Sequence, residues 1–583
     1  MHWVRAGVPE GLHQIRCEVL IIGGGIAGLM AARSAARRAR TILVAKGFAG
    51  ADGVSPFAGG VVLYLLPDDD WEAFWAEHVR ISEGLIHPEA VRRTVEMNTR
   101  LLGQLVALGA PVERLPDGQP RRRWLPAAGR RHVPRLGLSS VEFARFLRQE
   151  ALRAGARILD QSTILRLRPA PEGGFWAVGI RRQKGVPLAI HARAVVLATG
   201  GCAWRGAHMG LQSAMGDGLA LGLDAGASLA GMEFCTSYLA TCSLFDTHGQ
   251  DLLLGLGGRL RNRLGEDILA RYGVPYPAPP HLTAMAMLSE LVAGRGPIVM
   301  DLRGIDPQAR QEWERQFPLV VRGLQRTGVD VFAQPVAWIP GFIGSIAGSG
   351  GLHILNLAGA TEVPGLFAAG DTAARMAVIG AGSGITFLNL AWALASGHWV
   401  GHAAASAARG SETLDGPAGL EPAESLLASI LAPLDPTAPE LESRACLTEI
   451  LKTLQKLVVD PTYNFFRTGP RLREAETCVL ELWERLMAVR VPTWHELVRW
   501  HELRSALLAA RAMFQSAQAR LETRGWHRRL DFPHPNPQYA DLWFIARRGS
   551  EPFPALPCFT IAAAPLSDPQ TFQPWAPEEG EDD

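Results

Sequence analysis

The run Cys17-Glu18-Val19-Leu20-Ile21-Ile22-Gly23-Gly24-Gly25-Ile26-Ala27-Gly28 decides the fold. Its first part is short, apolar and rich in branched side chains, as in a strand buried on both faces, and glycines follow at once. Leu29, Met30 and a series of alanines predict a helix, and Thr41-Ile42-Leu43-Val44 predicts a second strand. Strand, glycine turn, helix and strand within about thirty residues form the context that a dinucleotide fingerprint requires. Gly23 permits the tight turn, Gly25 lets the backbone approach a pyrophosphate, and Gly28 lets helix and strand pack closely. The anion then meets free amides at the positive end of the helix. Where an acidic ribose ligand usually ends the second strand stand Ala45 and Lys46, which argues against a plain NAD site.

At 583 residues the chain exceeds what one core organises, and its 48% apolar content is ample for burial. Lys and Arg number 58 against 57 Asp and Glu, a net charge of +1, so no polyanion footprint exists and nucleic acid is not an expected partner. Cys17, Cys202, Cys235, Cys242, Cys446, Cys478 and Cys558 are scattered without a C-x-x-C pair. They read as reduced thiols of a cytoplasmic protein, not as ligands of zinc or an iron–sulfur cluster. The first ten residues contain no apolar core of a secretory signal. Met376 to Gly397 carries no charge and is long enough to span a bilayer, but Gly380, Gly382, Ser383, Gly384, Thr386 and Asn389 interrupt it. A buried glycine-rich loop feeding a core helix is the expectation, with no membrane span.

Further along, a tryptophan-rich helical insertion is expected from Asp68 to about Ala110. An arginine-dense segment, Arg121 to Arg135, reads either as a solvated face or as an anion-binding run, and a helix is predicted from Ser140 to Ala154. Ala194-Val195-Val196-Leu197-Ala198-Thr199-Gly200-Gly201 is a second apolar strand breaking into a glycine turn. Gly365-Leu366-Phe367-Ala368-Ala369-Gly370-Asp371 is a third, ending in a carboxylate suited to a sugar or ribityl hydroxyl. Gly410 to Glu424 has linker composition. Leu503, Leu507, Ala510, Phe514, Ala517 and Leu521 recur at helical spacing and predict one apolar stripe. The tail from Gly549 is Pro-rich and ends on acids, composition that favours partial disorder.

Together these motifs resemble the flavoprotein family of succinate dehydrogenase, fumarate reductase and L-aspartate oxidase. Gly216-Asp217-Gly218-Leu219-Ala220 with Met232-Glu233-Phe234 resembles the segment after the family's Ala-Thr-Gly-Gly turn. Gly294-Arg295-Gly296-Pro297-Ile298-Val299-Met300-Asp301-Leu302 resembles its capping-domain signature, and Glu522-Thr523-Arg524-Gly525 with His527, Arg529, Asp531 and Pro533 its C-terminal stretch. The resemblance implies an α/β protein: a Rossmann-like FAD-binding domain with an inserted α+β capping domain and a C-terminal helical domain. The expected boundaries are 1–232 for the first part of the FAD domain, with the insertion at about 68–135. The capping domain follows at 233–345, the second FAD part at 346–409, the helical domain at 425–548 and the tail at 549–583.

The resemblance also implies FAD as cofactor, held by Gly23, Gly25, Gly28, Lys46, Ser55, Gly59, Gly60, Ala198, Thr199, Gly200, Asp217, Gly370, Asp371, Ser383, Thr386 and Leu388. The family's covalent-flavin histidine falls at Gly53, so non-covalent flavin is expected. Its proton-shuttling arginine falls at Leu254, ahead of Gly255-Leu256-Gly257-Gly258, and its two substrate histidines fall at Tyr238 and near Ile346. Its carboxylate-gripping arginine has no clear equivalent in Gly380 to Thr386. These losses argue against succinate or fumarate.

The proton path must then come from other residues. Tyr238 reads as a phenolic acid or as a packed aromatic, and Arg375 as a group at the flavin edge or a salt-bridging cation. Arg259 and Arg261 are candidates for a substrate anion, His353 stands beside the Gly350-Gly351 pair, and His208 is a weaker candidate. Three activities fit: a flavin dehydrogenase or ene-type reductase on another small molecule; a relative of adenylylsulfate reductase working with an iron–sulfur electron-transfer partner; or an electron-relay scaffold whose substrate site has decayed.

Overall fold

A computed structural model describes residues 12–58, 60–124, 134–206, 208, 210–245, 250–276, 278–316, 318–385, 387–409, 421–550 and 555–566. The first strand runs His13–Ile22, the helix after the glycine turn Ile26–Ala36, and the second strand Thr41–Val44. Gly23 sits at φ +122°, and a Cβ there would stand 2.1 Å from the Ala198 carbonyl oxygen. A Cβ on Gly28 would stand 1.9 Å from the Gly23 carbonyl oxygen. Both glycines are demanded by close backbone approach.

His13–Ile22 pairs in parallel with Thr41–Val44 on one side and with Val186–Leu197 on the other. Arg157–Leu159 extends the parallel sheet beyond Thr41–Val44. Val186–Leu197 is long enough to serve two partners: Phe175–Arg181 pairs antiparallel along most of its length, and Leu366–Ala368 pairs in parallel at its end. The carboxyl ends at Ile22, Leu197 and Ala368 therefore lie together, which is where an open α/β sheet binds its ligand.

The helical insertion consists of Trp71–Ser82 and Pro88–Ala107. In its described residues, 121–124 and 134–135, the basic run is neither a solvated face nor an open anion site. Arg122–Trp124 and Pro134–Gly137 pair as strands; Arg122 bonds Asp69, Arg123 bonds Glu113 and Glu312, and Arg135 is buried. A separate antiparallel sheet, Ser237–Cys242, Val336–Gly344, Ile298–Asp301 and Arg259–Arg261, forms the capping unit.

The uncharged stretch from Met376 breaks as expected, into a short helix Met376–Ile379, a glycine loop and the helix Leu388–Arg409. None of the described helices is long and apolar enough to cross a membrane. The loop glycines are set by packing. A Cβ on Gly380 would stand 2.5 Å from Ser82 Cβ, one on Gly382 2.3 Å from the Ile81 carbonyl, and one on Gly384 2.4 Å from the His78 ring. The insertion helix Trp71–Ser82 thus props the loop from below.

In the C-terminal region the helix Glu421–Leu431 begins inside the segment with linker composition. The apolar stripe lies in the helix Trp494–Ala519, which is buried nearly all round because it packs against Gly469–Ala488, Glu440–Val459 and Asp217–Ala225. Leu521 does not belong to the stripe: the helix has ended and the side chain is 40% exposed. Part of the expected disordered tail is ordered, since Phe559–Pro565 pairs antiparallel with Leu542–Arg548.

Candidate active site

At the carboxyl ends of the central strands lies a crevice with about 1040 Å³ of empty space. Its wall includes Gly23, Gly25, Lys46, Ser55, Ala198, Thr199, Gly200, Asp217, Gly370 and Asp371, which brings ten of the residues assigned from the sequence to the cofactor into one cleft. Gly25 differs from its neighbours. A Cβ there would meet only Ser55 Oγ, at 3.1 Å, so its outer side is open to the crevice. Ser55 Oγ accepts a hydrogen bond from the Ile26 amide, 3.1 Å, and holds the turn. Thr199 Oγ1 accepts from the Gly218 amide, 3.0 Å, joining the second glycine turn to the helix behind it.

Lys46 is not a free cation. Its ammonium bonds Asp217 and lies 2.9 Å from Glu502 Oε1, which belongs to the C-terminal helical region. Burial alone would discharge it, but the two carboxylates raise its pKa above the ordinary lysine value. Gly28 stands behind the wall, packed on Gly23, and Leu388 is buried at the start of its helix without reaching the cleft. The Gly60 amide turns to Ser140 Oγ, 3.1 Å, away from the wall. Gly59 and Thr386 lie outside the described residues. Gly53 lines the crevice with no side chain that could bond a flavin.

A second cavity, of about 970 Å³, shares Val54, Ser55, Ile346, Asp371 and Ala393 with the first and so continues it. Ser383, the remaining cofactor candidate, lies on this wall. Its hydroxyl bonds the Ala347 carbonyl and accepts from Trp526 Nε1, 2.6 Å, so the C-terminal region reaches the cavity floor. His78, from the tryptophan-rich insertion, holds the same floor: Nε2 lies 2.8 Å from the Val378 carbonyl, Nδ1 lies 3.4 Å from the Ile385 amide, and burial lowers its pKa to about 4. It is neutral, with Nε2 as donor.

Asp251 also faces this cavity. Burial raises its carboxyl to about 6, while its own amide, the charge of His208 and the Leu252 amide act in the opposite direction. Sequence reading missed it, because attention fell on Leu254. That side chain packs with Leu252, Leu253 and Leu260 in the capping core.

None of the four catalytic candidates lies on either cavity wall. The Tyr238 hydroxyl donates to the Val459 carbonyl, 3.0 Å, and the ring stands edge-on to Phe342 and Phe465. The neighbouring residue of the strand, Leu239, faces the cavity instead. Arg375 bonds Asp371 and the carbonyls of Ser345, Ile346 and Gly348, so it positions the cavity wall from behind. Arg259 stacks 4.0 Å over the Tyr276 ring and pairs with Asp267. Arg261 lies 3.6 Å from Asp301. His353 Nδ1 lies 2.6 Å from Glu362 Oε1. The Arg529 guanidinium holds Asp531, and His527 meets Arg467, so the C-terminal motif is structural.

Two family models match the chain: an FAD binding domain over residues 18–387 and a fumarate reductase flavoprotein C-terminal domain over residues 452–550. The chain belongs to the flavoprotein family of fumarate reductase and L-aspartate oxidase. It is an FAD-dependent oxidoreductase. It is similar to an L-aspartate oxidase of Streptomyces coelicolor, 30% identical over 64% of this chain and 65% of that relative, just under two thirds of its length. It is also similar to an L-aspartate oxidase of Caulobacter vibrioides, 28% identical over 91% of this chain and 96% of the relative. The fold is shared with a structure of E. coli quinol fumarate reductase FrdA, with a TM-score of 0.82 at 22% identity, covering 95% of this chain and 97% of that one.

The residues of this flavoprotein fit the cofactor. The open side of Gly25, the glycines of three strand ends and the Asp371 carboxylate line one crevice at the strand ends, as a dinucleotide requires.

Proposed function

We propose that this flavoprotein oxidises or reduces a small molecule other than succinate, fumarate or a related dicarboxylate, with FAD held non-covalently and Asp251 as the proton-transferring group. The observation that carries the reading is the lining of the second cavity. Among the described residues its ionisable groups are Asp251 and Asp371, and no described Lys, Arg or His stands on the wall.

A bound flavin supplies hydride acceptance or donation at N5. The chain's own residues do the rest. Glycine turns and Asp371 orient the cofactor, apolar walls exclude water, and Asp251 holds or releases a proton at its carboxyl oxygen. A carboxyl displaced to about 6 exchanges protons near neutrality far better than one at the ordinary value. His208 is the buried group electrostatically closest to it that could relay that proton onward. Among the described residues no group of His, Cys, Asp and Glu is arranged to hold a metal. A small-molecule acceptor or a separate electron-transfer protein takes the electrons. The free, mostly buried thiols fit a cytoplasmic setting.

Fumarate reduction with a reduced viologen, succinate oxidation with an artificial acceptor, and L-aspartate oxidation test the reading. The wild type should turn over none of the three, while a panel of other small molecules gives acceptor-dependent flavin turnover that Asp251→Asn abolishes. Robust turnover of fumarate, succinate or L-aspartate would overturn it.

A further inference from the structure

We infer that the cavity beyond the flavin crevice takes an uncharged, predominantly apolar ligand. The inference rests on the functional reading above and adds the substrate class. Val54, Leu239, Ile343, Ile346, Phe387 and Leu390 supply the wall. They come from four separate stretches of chain, so the apolar character is a property of the whole cavity and not of one helix face.

The polar groups point the same way. Asp371 is already bonded to Arg375, whose guanidinium is spent on that carboxylate and three backbone carbonyls behind the wall. The Ser383 hydroxyl is likewise engaged, with the Ala347 carbonyl and Trp526. That leaves Asp251 and the Asn389 amide facing the cavity, and the Asn389 oxygen is buried without a hydrogen-bond partner. A carboxylate entering this space would meet acids and hydrocarbon with no countercharge among the described residues of the wall, and an unpaired buried charge is strongly disfavoured. A neutral ligand loses nothing by entering. Its polar group can meet Asp251 or the Asn389 side chain while its body is buried against the apolar wall.

The test is a titration of the FAD-loaded protein, read by the change in the flavin absorption band, with probes matched in shape but not in charge. Benzylideneacetone, a neutral enone, is compared with trans-cinnamate and with fumarate. The neutral probe should bind about 10-fold or more tightly than cinnamate, and fumarate should leave the band unchanged. Leu239→Arg, and independently Ile343→Arg, which line only the second cavity, should reverse the order of enone and cinnamate with FAD content retained. Equal or tighter binding of cinnamate or fumarate to the wild type would overturn the inference, as would a neutral probe that leaves the band unchanged up to its solubility limit. If either occurs while Asp251→Asn still abolishes acceptor-dependent turnover, the substrate class falls and the oxidoreductase reading stands. If the wild type turns over fumarate, the underlying reading falls with it.

Discussion

The two ends of the continuous cleft are built on different principles. The nucleotide end is made of main chain: Gly23, Gly25, Gly200 and Gly370 bring backbone to the ligand, and three strand ends of one sheet converge there. The chemical end is made of side chains from seven stretches, around residues 54–58, 239, 251, 280, 343–347, 371 and 383–393, with the C-terminal region supporting the floor through Trp526. Backbone geometry tolerates little change, whereas side chains on a supported wall can be exchanged. The nucleotide end is accordingly built on glycines, while at the chemical end Leu239, Ile343 and Ile346 stand on the wall.

The largest effect expected from this contrast is at Gly25. Because a Cβ there projects into the crevice with only Ser55 Oγ near it, Gly25→Val should fold yet purify colourless. Gly23→Val, which drives a side chain into the Ala198 carbonyl, should lower stability as well as flavin content. Full flavin occupancy in a folded Gly25→Val protein, measured by absorbance and circular dichroism, would break the comparison. Wild-type protein precipitated with acid should leave its yellow colour in the supernatant, because Gly53 offers no side chain for a covalent bond. Colour retained in the pellet would place the attachment elsewhere.

Next in size is Asp251→Asn, which should lower turnover by about 10²–10⁴-fold with flavin content unchanged. The sign of the wild-type pH profile follows from the role. If Asp251 donates a proton during substrate reduction, the rate falls as pH rises through about 6; if it accepts one during oxidation, the rate rises through the same value. A variant with the wild-type rate and pH profile would remove Asp251 from the mechanism.

The smallest effect sharpens how the chemical end is held. Glu83 caps the helix Trp71–Ser82 in a left-handed conformation, φ 51°, and its carboxylate accepts from the Gly525 amide, 2.6 Å, while lying 2.5 Å from His281 Nε2. Insertion, capping unit and C-terminal region meet at this one side chain. Burial would raise its pKa, but His281 and the Gly525 amide together hold it at about 2, below the ordinary 4.5. A depressed carboxylate contributes stability above its unfolded value, and that contribution is lost as pH falls from 4.5 toward 2. Glu83→Gln should therefore cost about 1.5–3 kcal/mol at neutral pH, and thermal melts should show the gap to wild type closing through that acid range. A gap independent of pH would mean that packing, not charge, joins the three regions.

Sequence alone determined the nucleotide end. Strand, glycine turn and helix are local features: Gly23 and Gly28 are forced by backbone contacts, and their spacing is readable in any one copy of the chain. The resemblance carried by its motifs also implies that charged positions of the family fall at Leu254 and Gly53. Tertiary structure alone decided which side chains replaced them. Tyr238 stands where a family histidine would be, yet packing draws its hydroxyl to Val459 and leaves the cavity to Leu239. Arg375, which the sequence leaves as either a flavin-edge group or a salt-bridging cation, proves to be a buried brace, and the glycines from Gly380 to Gly384 are set by the insertion helix beneath them. Asp251 carries no motif at all. Its displaced acidity comes from burial among elements that meet only after the capping unit has folded over the sheet, and burial is a property of the assembled molecule that no local stretch of sequence encodes.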